Sequence, residues 1–281
     1  KKEEGYNNDC KSEKVSGLII TVSSKEQLSA ICNTDNLGDY DLIIPMDNYE
    51  LFKCVANRKS DYSAKSIFAK LPVVIRDKSK DTLVDSIDIL QIYDGVVVSG
   101  YDGLYFAKKH LNKPIIADSS LYSYNNYAID TIAGLGVDIN VAPLELNNKE
   151  LSHRNNKNSV LTIYGRIPMM ITNNCINKNC NYCDNTEKLL TIKDKKGHSF
   201  PVRNFCKMCY NVIYNESPTC LFNESDKINK LKFSGFKIDF TNESGELTKK
   251  ILKLYADSFI YDKAINIDFG YTKGHFNRGV E

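Results

Sequence analysis

Along the chain, short apolar runs alternate with amphipathic stretches at a fairly even beat. Eight runs read as strands: GLIITV (17–22), DLIIPM (41–46), LPVVIR (71–76), GVVVSG (95–100), KPIIAD (113–118), VDINVAP (137–143), SVLTIYG (159–165) and FKIDFT (236–241). They are rich in Ile and Val and apolar on both faces, as strands covered on both sides must be. Helix-like segments lie between them: KEQLSAIC (25–32), TLVDSIDILQIY (82–93), GLYFAKKHLN (103–112) and NNYAIDTIAGLG (125–136), with ESGELTKKILKLYADSF (243–259) after the last strand. The fourth ends on a helix-stopping glycine. Strand–helix alternation implies a parallel sheet, and eight such units predict an α/β fold of the closed (β/α)8 TIM-type barrel. An open doubly wound sheet competes with it, but the count of eight and the lack of a Gly-rich loop after the first strand favour the barrel.

The one long interruption lies between strands seven and eight. It contains CNYCDNTEKLLTIKDKKGHSFPVRNFCKMC (180–209), two Cys-x2-Cys pairs separated by 22 residues, with Cys175 just ahead. Residues 175–220 therefore read as a Cys-rich insertion on the rim of a single domain covering 1–281. Its middle predicts a β-hairpin: LLTI, a turn at DKKG, then SFPV. Each Cys-x2-Cys turn aims two sulfurs at a common point, so the spacing predicts a thiolate metal site drawn from Cys175, Cys180, Cys183, Cys206 and Cys209. Tetrahedral sulfur suits zinc or an iron–sulfur cluster. Two ligand sets stay open: the two pairs together, or Cys175, Cys180, Cys183 and Cys209. Cys10, Cys32, Cys54 and Cys220 read as structural.

In a barrel, residues just past each strand face the active site. The expected strand ends offer Met46 and Asp47, Arg76 and Asp77, Tyr101, Asp118, Glu145, Tyr164, Arg166, Asp239 and Glu243. Arg76 and Arg166 are candidates for holding an anion. Asp118, Glu145 and Asp239 are candidates for acid–base work. Glu145 and Arg166 stand out, because each lies in a polar loop stiffened by a proline, APLELN and YGRIPMM. Tyr164 and the terminal His275 and Arg278, in YTKGHFNRGVE, are candidate substrate contacts. There is no GxSxG, HExxH or P-loop, so serine hydrolase, zincin and NTPase readings lack support, and no nucleotide cofactor is expected.

Composition changes this picture little. Of 281 residues, 42% are hydrophobic and 26% charged, with a formal net charge of +2. That balance neither demands nor excludes a nucleic-acid partner. Lys188, Lys193, Lys195, Lys196, Arg203 and Lys207 near the insertion could meet phosphates. Nine cysteines, an odd number, fit a reducing, cytoplasmic setting better than a disulfide scaffold. No apolar run reaches membrane-spanning length. The chain opens on KKEEGYNNDC without a Met, which reads as a piece of a longer protein.

APLELN, IYGRIPMMITNNC, LLTIKDKKGHSFPV with the adjacent CxxC, NVIYNESP and TKGHFNRGV, in that order, resemble the peptidase U32 family, the collagenase-like proteases. The likeness runs from about residue 71 to the end and is densest over 137–281. It is to the C-terminal barrel region of a long member. The resemblance implies a barrel and one of two activities. One is proteolysis of unassigned catalytic type. The other is hydroxylation of a pyrimidine in tRNA or ribosomal RNA, or of a quinone precursor, by a protein carrying a four-iron cluster on four cysteines. Cys175 and Cys209 match cysteines of that pattern, as does Cys180 or Cys183. The gap from Cys175 to Cys180 is shorter than the family's, and the usual N-terminal barrel is absent. A partner barrel in the same full-length protein is therefore expected, or a non-catalytic, zinc-stapled role as a binding module.

Overall fold

The computed structural model describes residues 17–180, 183 and 185–279, without the side chains of residues 77, 78 and 180. Cys10 lies outside the described residues. The chain begins with β1 (Leu18–Thr21), α1 (Lys25–Cys32), β2 (Tyr40–Pro45) and α2 (Tyr49–Asn57). Ser24 and Asn48 start the two helices by accepting backbone N–H groups that have no partner inside the first turn. Next come β3 (Ser66–Lys70), α3 (Asp77–Asp85) and the single turn α4 (Ile87–Leu90). The Ser86 hydroxyl donates to the Thr82 carbonyl at 2.7 Å, where the expected helix over 82–93 divides in two. Then follow β4 (Gly95–Val98), α5 (Tyr101–His110), β5 (Ile115–Ala117), α6 (Asn126–Gly134), β6 (Ile139–Val141), α7 (Asn148–Ser152) and β7 (Ser159–Gly165).

After β7 the chain leaves the barrel. It forms β8 (Pro168–Thr172), α8 (Ile176–Cys180), β9 (Leu189–Lys193), β10 (Ser199–Phe205), β11 (Tyr210–Tyr214) and β12 (Thr219–Cys220). It returns through α9 (Ser225–Asn229), β13 (Gly235–Asp239) and α10 (Gly245–Tyr255). Strands β1 to β7 and β13 pair in parallel, and β13 joins β7 to β1, which closes the barrel. The open sheet is thereby ruled out. The barrel interior packs Ile19, Ile43, Phe68, Val97, Ile116, Val141 and Val160. A larger cluster fills the layer between strands and helices.

The third strand differs from expectation. It is SIFAK (66–70), ahead of LPVVIR (71–76). Pro72 cannot donate to a ladder, and after Lys70 the chain turns over the rim, with Val73, Val74 and Ile75 half-buried against the outer core. SIFAK is less apolar than its neighbour because Ser66 and Lys70 stand on its inward face, so the apolar run was the wrong guide.

The insertion is a four-stranded antiparallel sheet in the order β8-β11-β10-β9. The predicted hairpin is β9–β10, and its tip is stitched by Asp194, which accepts from the N–H groups of Lys196 and His198. Strands β8 and β11 extend the sheet beyond the hairpin, so the insertion begins nearer 168 than 175.

A bulge in β7 matters for the site. Lys237 pairs with Thr162, but the next residue, Ile238, pairs with Tyr164. The extra residue turns Tyr164 outward and brings Gly165 inward. An extra residue of this kind reverses the inward–outward alternation beyond it. Gly165 has φ +151°, and a Cβ there would lie 2.7 Å from the Asp239 Cβ. Gly165→Ala is therefore expected to lose about 1–3 kcal/mol by overpacking, measured by urea unfolding.

Candidate functional site

A cavity of ≈ 250 Å³ sits at the C-terminal mouth of the barrel, where the sheet's strand ends meet. Its barrel side includes Thr21, Lys70, Ser99, Asp118, Thr162 and Asp239. Its other side comes from the insertion: Ile171 of β8, Arg203 and Phe205 of β10, Val212 and Tyr214 of β11. The inserted sheet thus roofs the barrel mouth, and the space between is a chamber.

Four charged side chains organise the chamber floor. Strand β13 reads F-K-I-D-F, so Phe236, Ile238 and Phe240 face the helices while Lys237 and Asp239 face in. The Lys237 ammonium reaches Asp118 Oδ1 at 3.1 Å and Asp239 Oδ2 at 2.8 Å. Lys70 Nζ lies 2.5 Å from Asp118 Oδ2. Asp118 therefore bridges two ammonium groups. Burial alone would push its carboxyl up, but Lys237 and Lys70 outweigh that and hold it far below the usual carboxylate range. Burial likewise pulls Lys70 down, and the Asp118 and Asp239 carboxylates overcome it and hold its ammonium above the ordinary lysine value. Asp118 and Lys70 therefore both stay charged at neutral pH.

Asp47 is different. It follows β2, is 3% exposed and has no ammonium bound to it among the described residues. Burial raises its carboxyl to about 6, against the opposing pull of a Tyr210 hydrogen bond and the Lys70 charge. Its Oδ1 has no partner. The same holds for Thr21 Oγ1, Ser99 Oγ, Thr162 Oγ1, Thr219 Oγ1 and Asp239 Oδ1, and all six atoms belong to residues lining the chamber. A buried polar group without a partner costs about 1–3 kcal/mol, so a cluster of them around one space suits polar contents, ordered water or a polar ligand.

The expected site residues divide into two groups. Asp118, Asp239, Glu145 and Arg166 all line the chamber. Within it, Arg166 donates to Asn242 Oδ1 at 2.8 Å and to the Asn215 and Glu216 carbonyls, so it ties the insertion to the barrel rim. Glu145 stands beside the Tyr124 hydroxyl. The others lie elsewhere. Arg76 turns to the Cys209 carbonyl at 2.5 Å, since its strand ended six residues earlier than expected. Tyr164 is turned into the outer layer by the bulge, where its hydroxyl donates to Glu243 Oε1 at 3.0 Å. His275 borders a second, smaller cavity beside the first, with Nδ1 2.9 Å from the Gly279 carbonyl oxygen. Arg278 is exposed. Arg203, read as a phosphate contact, donates to the Ser23 and Thr241 carbonyls at 2.9 and 2.8 Å and holds the roof down. Lys70, Lys237 and Tyr210 were not anticipated. The signal for Lys237 was a lysine in an apolar strand, two residues from an aspartate on the same face.

The cysteines of the insertion are only partly assembled. The side chain of Cys180 lies outside the described residues. Cys209 has φ +56° and its N–H donates to the Cys206 carbonyl, the turn a Cys-x2-Cys knuckle needs. The Asn204 amide donates to Cys206 Sγ at 3.3 Å. Cys183 Sγ instead donates to Asn185 Oδ1 at 3.4 Å. Any four-thiolate set from these five cysteines needs at least three of Cys175, Cys183, Cys206 and Cys209. Among the described residues no three Cys, His, Asp or Glu side chains converge as a metal site. One knuckle fits a metal in its backbone, but the described thiols together do not form a thiolate centre. Cys220 is buried on β12, and burial lifts its thiol to about 11, an inert structural sulfur.

Fold and chamber define the class: a (β/α)8 barrel with a ligand-sized polar chamber at its C-terminal mouth. No family model and no curated protein sequence matches the chain. A solved structure, "Crystal structure of C-terminal domain of putative chitinase from Desulfitobacterium hafniense DCB-2", aligns with 88% of this chain and 99% of its own, at 13% identity and a TM-score of 0.43. That likeness is too low to bear on function. Among the described residues no helix is long and apolar enough to cross a membrane.

Two outcomes test the floor of the chamber. Lys237→Met strands the carboxylates beside it, with an expected loss of about 3–5 kcal/mol, partly recovered by adding Asp239→Asn; chemical denaturation of both variants checks this. For Asp47 the folded carboxyl sits at about 6 against an ordinary 3.8. A raised carboxyl favours the fold while protonated, so its contribution is full below 3.8 and is lost as pH rises through about 6. Asp47→Asn should therefore gain stability over wild type on going from mildly acid to mildly alkaline buffer, read as the difference in Tm.

Proposed function

We propose that the chamber binds a compact polar ring of pyrimidine size, and that the protein serves RNA modification, one of the two activities that its resemblance to the peptidase U32 family implies. The observation that carries the reading is the set of six partnerless buried oxygens around one space. A ring bearing carbonyl and N–H groups would satisfy hydroxyls, which donate or accept, and carboxylate oxygens, which accept. The volume, below the roughly 300–1,000 Å³ of drug-sized sites, suits a base or nucleoside. Phe205 and Tyr214 of the roof add aromatic side chains to its lining. A base must be taken out of its stack to enter such a pocket, so a single-stranded tRNA or ribosomal RNA segment is the natural donor.

Peptide hydrolysis fits less well. Among the described residues no histidine lines the chamber, and the hydroxyls of Thr21, Ser99 and Thr162 lack a hydrogen-bonded base. Asp118 is committed to two lysines. The protein's own part is to bind and orient the ring between the Lys70–Asp118–Lys237–Asp239 network of the floor and the inserted sheet above it.

A second element of the proposal is metal in the insertion, in a reducing cytoplasmic setting. The Cys206–Cys209 turn and the amide N–H···S bond to Cys206 favour it. A thiolate-bound iron–sulfur cluster would supply electron transfer; zinc would be a staple. Closing the site requires the remaining thiols to move toward this knuckle.

Calorimetric titration of the chain with uridine, cytidine and a blocked dipeptide tests the first element. A nucleoside is expected to bind and the dipeptide not, with Lys70→Met weakening the nucleoside at least about tenfold, or 1.4 kcal/mol. No heat from either nucleoside would overturn it. For the second, elemental analysis and an absorption spectrum of anaerobically purified protein should show iron with sulfide, or zinc, lost in Cys206→Ser/Cys209→Ser. Metal-free protein would leave the insertion as a roof alone.

A further inference from the structure

The loop between β5 and α6 places aromatic rings at the edge of the chamber. Its residues alternate: Leu121 and Ser123 are buried, while Tyr122 and Tyr124 are 54% and 40% exposed. The two exposed rings are stacked, with centroids 5.7 Å apart and planes at 4° to one another. Tyr122 also lines the chamber. A stacked aromatic pair is thus continuous with the cavity and faces solvent beside it.

The pair is held from behind. Tyr122 has φ +53°, in the left-handed region that a tyrosine rarely adopts. Its surroundings enforce that conformation. The Tyr122 N–H donates to the Ser119 carbonyl at 3.1 Å, and the Tyr124 N–H to the Tyr122 carbonyl at 2.8 Å. The Ser120 hydroxyl donates to the Ser99 carbonyl at 2.8 Å. Between the two tyrosines, Ser123 is gripped by the buried Arg154. Its Nε donates to the Ser123 carbonyl and its Nη2 to the Ser123 hydroxyl, both at 2.7 Å. The rest of the guanidinium reaches Asn140, Asn156 and Ser159. Rings fixed in this way lose little freedom when a ligand arrives, which is what a stacking platform requires.

We propose that Tyr122 and Tyr124 form a stacking subsite for the nucleotide next to the ring in the chamber, with the flat face of its base continuing the tyrosine stack. The proposal rests on the ring-binding reading above. A base drawn out of a single strand leaves its neighbour without a stacking partner, and an aromatic face beside the pocket restores one. Every base has a π-face, so this subsite adds affinity and orientation without reading sequence. Glu145, which lines the chamber, stands beside the Tyr124 hydroxyl, so the ledge suits a base and not a phosphate. Its contribution should therefore vary little with salt.

Two readouts test the subsite. The first is affinity for uridine, for the dinucleotides ApU and UpA, and for the same dinucleotides lacking the adenine base. In wild type, one base-bearing dinucleotide should bind about five- to a hundredfold more tightly than its abasic counterpart, the range of one base–aromatic stack. That ratio should hold between low and high salt, fall to near one in Tyr122→Ala/Tyr124→Ala, and survive in Tyr122→Phe, which keeps the ring. The second is fluorescence. The chain has no tryptophan, so Tyr122→Trp carries a single indole, which the base-bearing dinucleotide should quench and the abasic one should not. No gain from adenine in either dinucleotide, or a gain that Tyr122→Ala/Tyr124→Ala retains, overturns the inference. So does tyrosine-dependent binding of a neutral glucan oligomer with no gain from adenine, which would make the ledge a sugar platform. If uridine fails to bind wild type, the ring-binding reading falls and the indole decides the ledge alone. Quenching that needs the adenine base then keeps the stacking subsite, and its absence overturns it.

Discussion

A lysine ammonium inside the barrel is the constraint around which the mouth is arranged. Lys237 is 1% exposed, and a charge there would be prohibitive without partners. Its partners come from far along the chain: Asp118 is 119 residues away, and Lys70 is a further 48 from Asp118. Only a closed barrel brings the ends of β3, β5 and β13 to one point. The network is costly to assemble and gains little over an apolar filling, because desolvation offsets most of the attraction. Its position under a chamber lined with partnerless oxygens therefore points to use, not to stability.

The roof is held by groups that leave the chamber's charge intact. Arg166 and Arg76 donate to neutral carbonyl and amide oxygens at the seam between insertion and barrel. Arg203 does the same on the opposite side, with the Ser23 and Thr241 carbonyls. A guanidinium's fixed fork suits such double attachment better than a lysine would. Tyr210, from β11 of the insertion, stands beside Asp47 and lowers its carboxyl against the effect of burial. It links the placement of the insertion to the chemistry of the mouth, with no need for a longer route through the core. The cysteine knuckle sits on the same turn: Cys209 directly precedes Tyr210, and Arg76 grips its carbonyl.

Much of the fold was legible because burial on both faces writes itself as runs of Ile and Val. Seven of the eight strand positions, the break after the seventh and the hairpin at 189–205 follow from that pattern. The third strand did not, because its inward face carries Ser66 and Lys70, and the apolar run next to it belongs to the outer layer. The site was half legible. Asp118 and Asp239 lie at ends of strands that the pattern places well. Arg76 was misplaced along with its strand, and Tyr164 was misplaced by a single bulged residue that alternation cannot reveal.

Sequence alone determined the class of fold, the place of the insertion and the cysteine spacing, since each depends on local periodicity or on residues close in the chain. Which carboxylates are locked by lysines, which one is left free, and whether the thiols meet were decided only by tertiary structure. Those outcomes depend on barrel closure and on how one sheet lies over another. They join side chains tens to more than a hundred residues apart, and no local pattern records such distances.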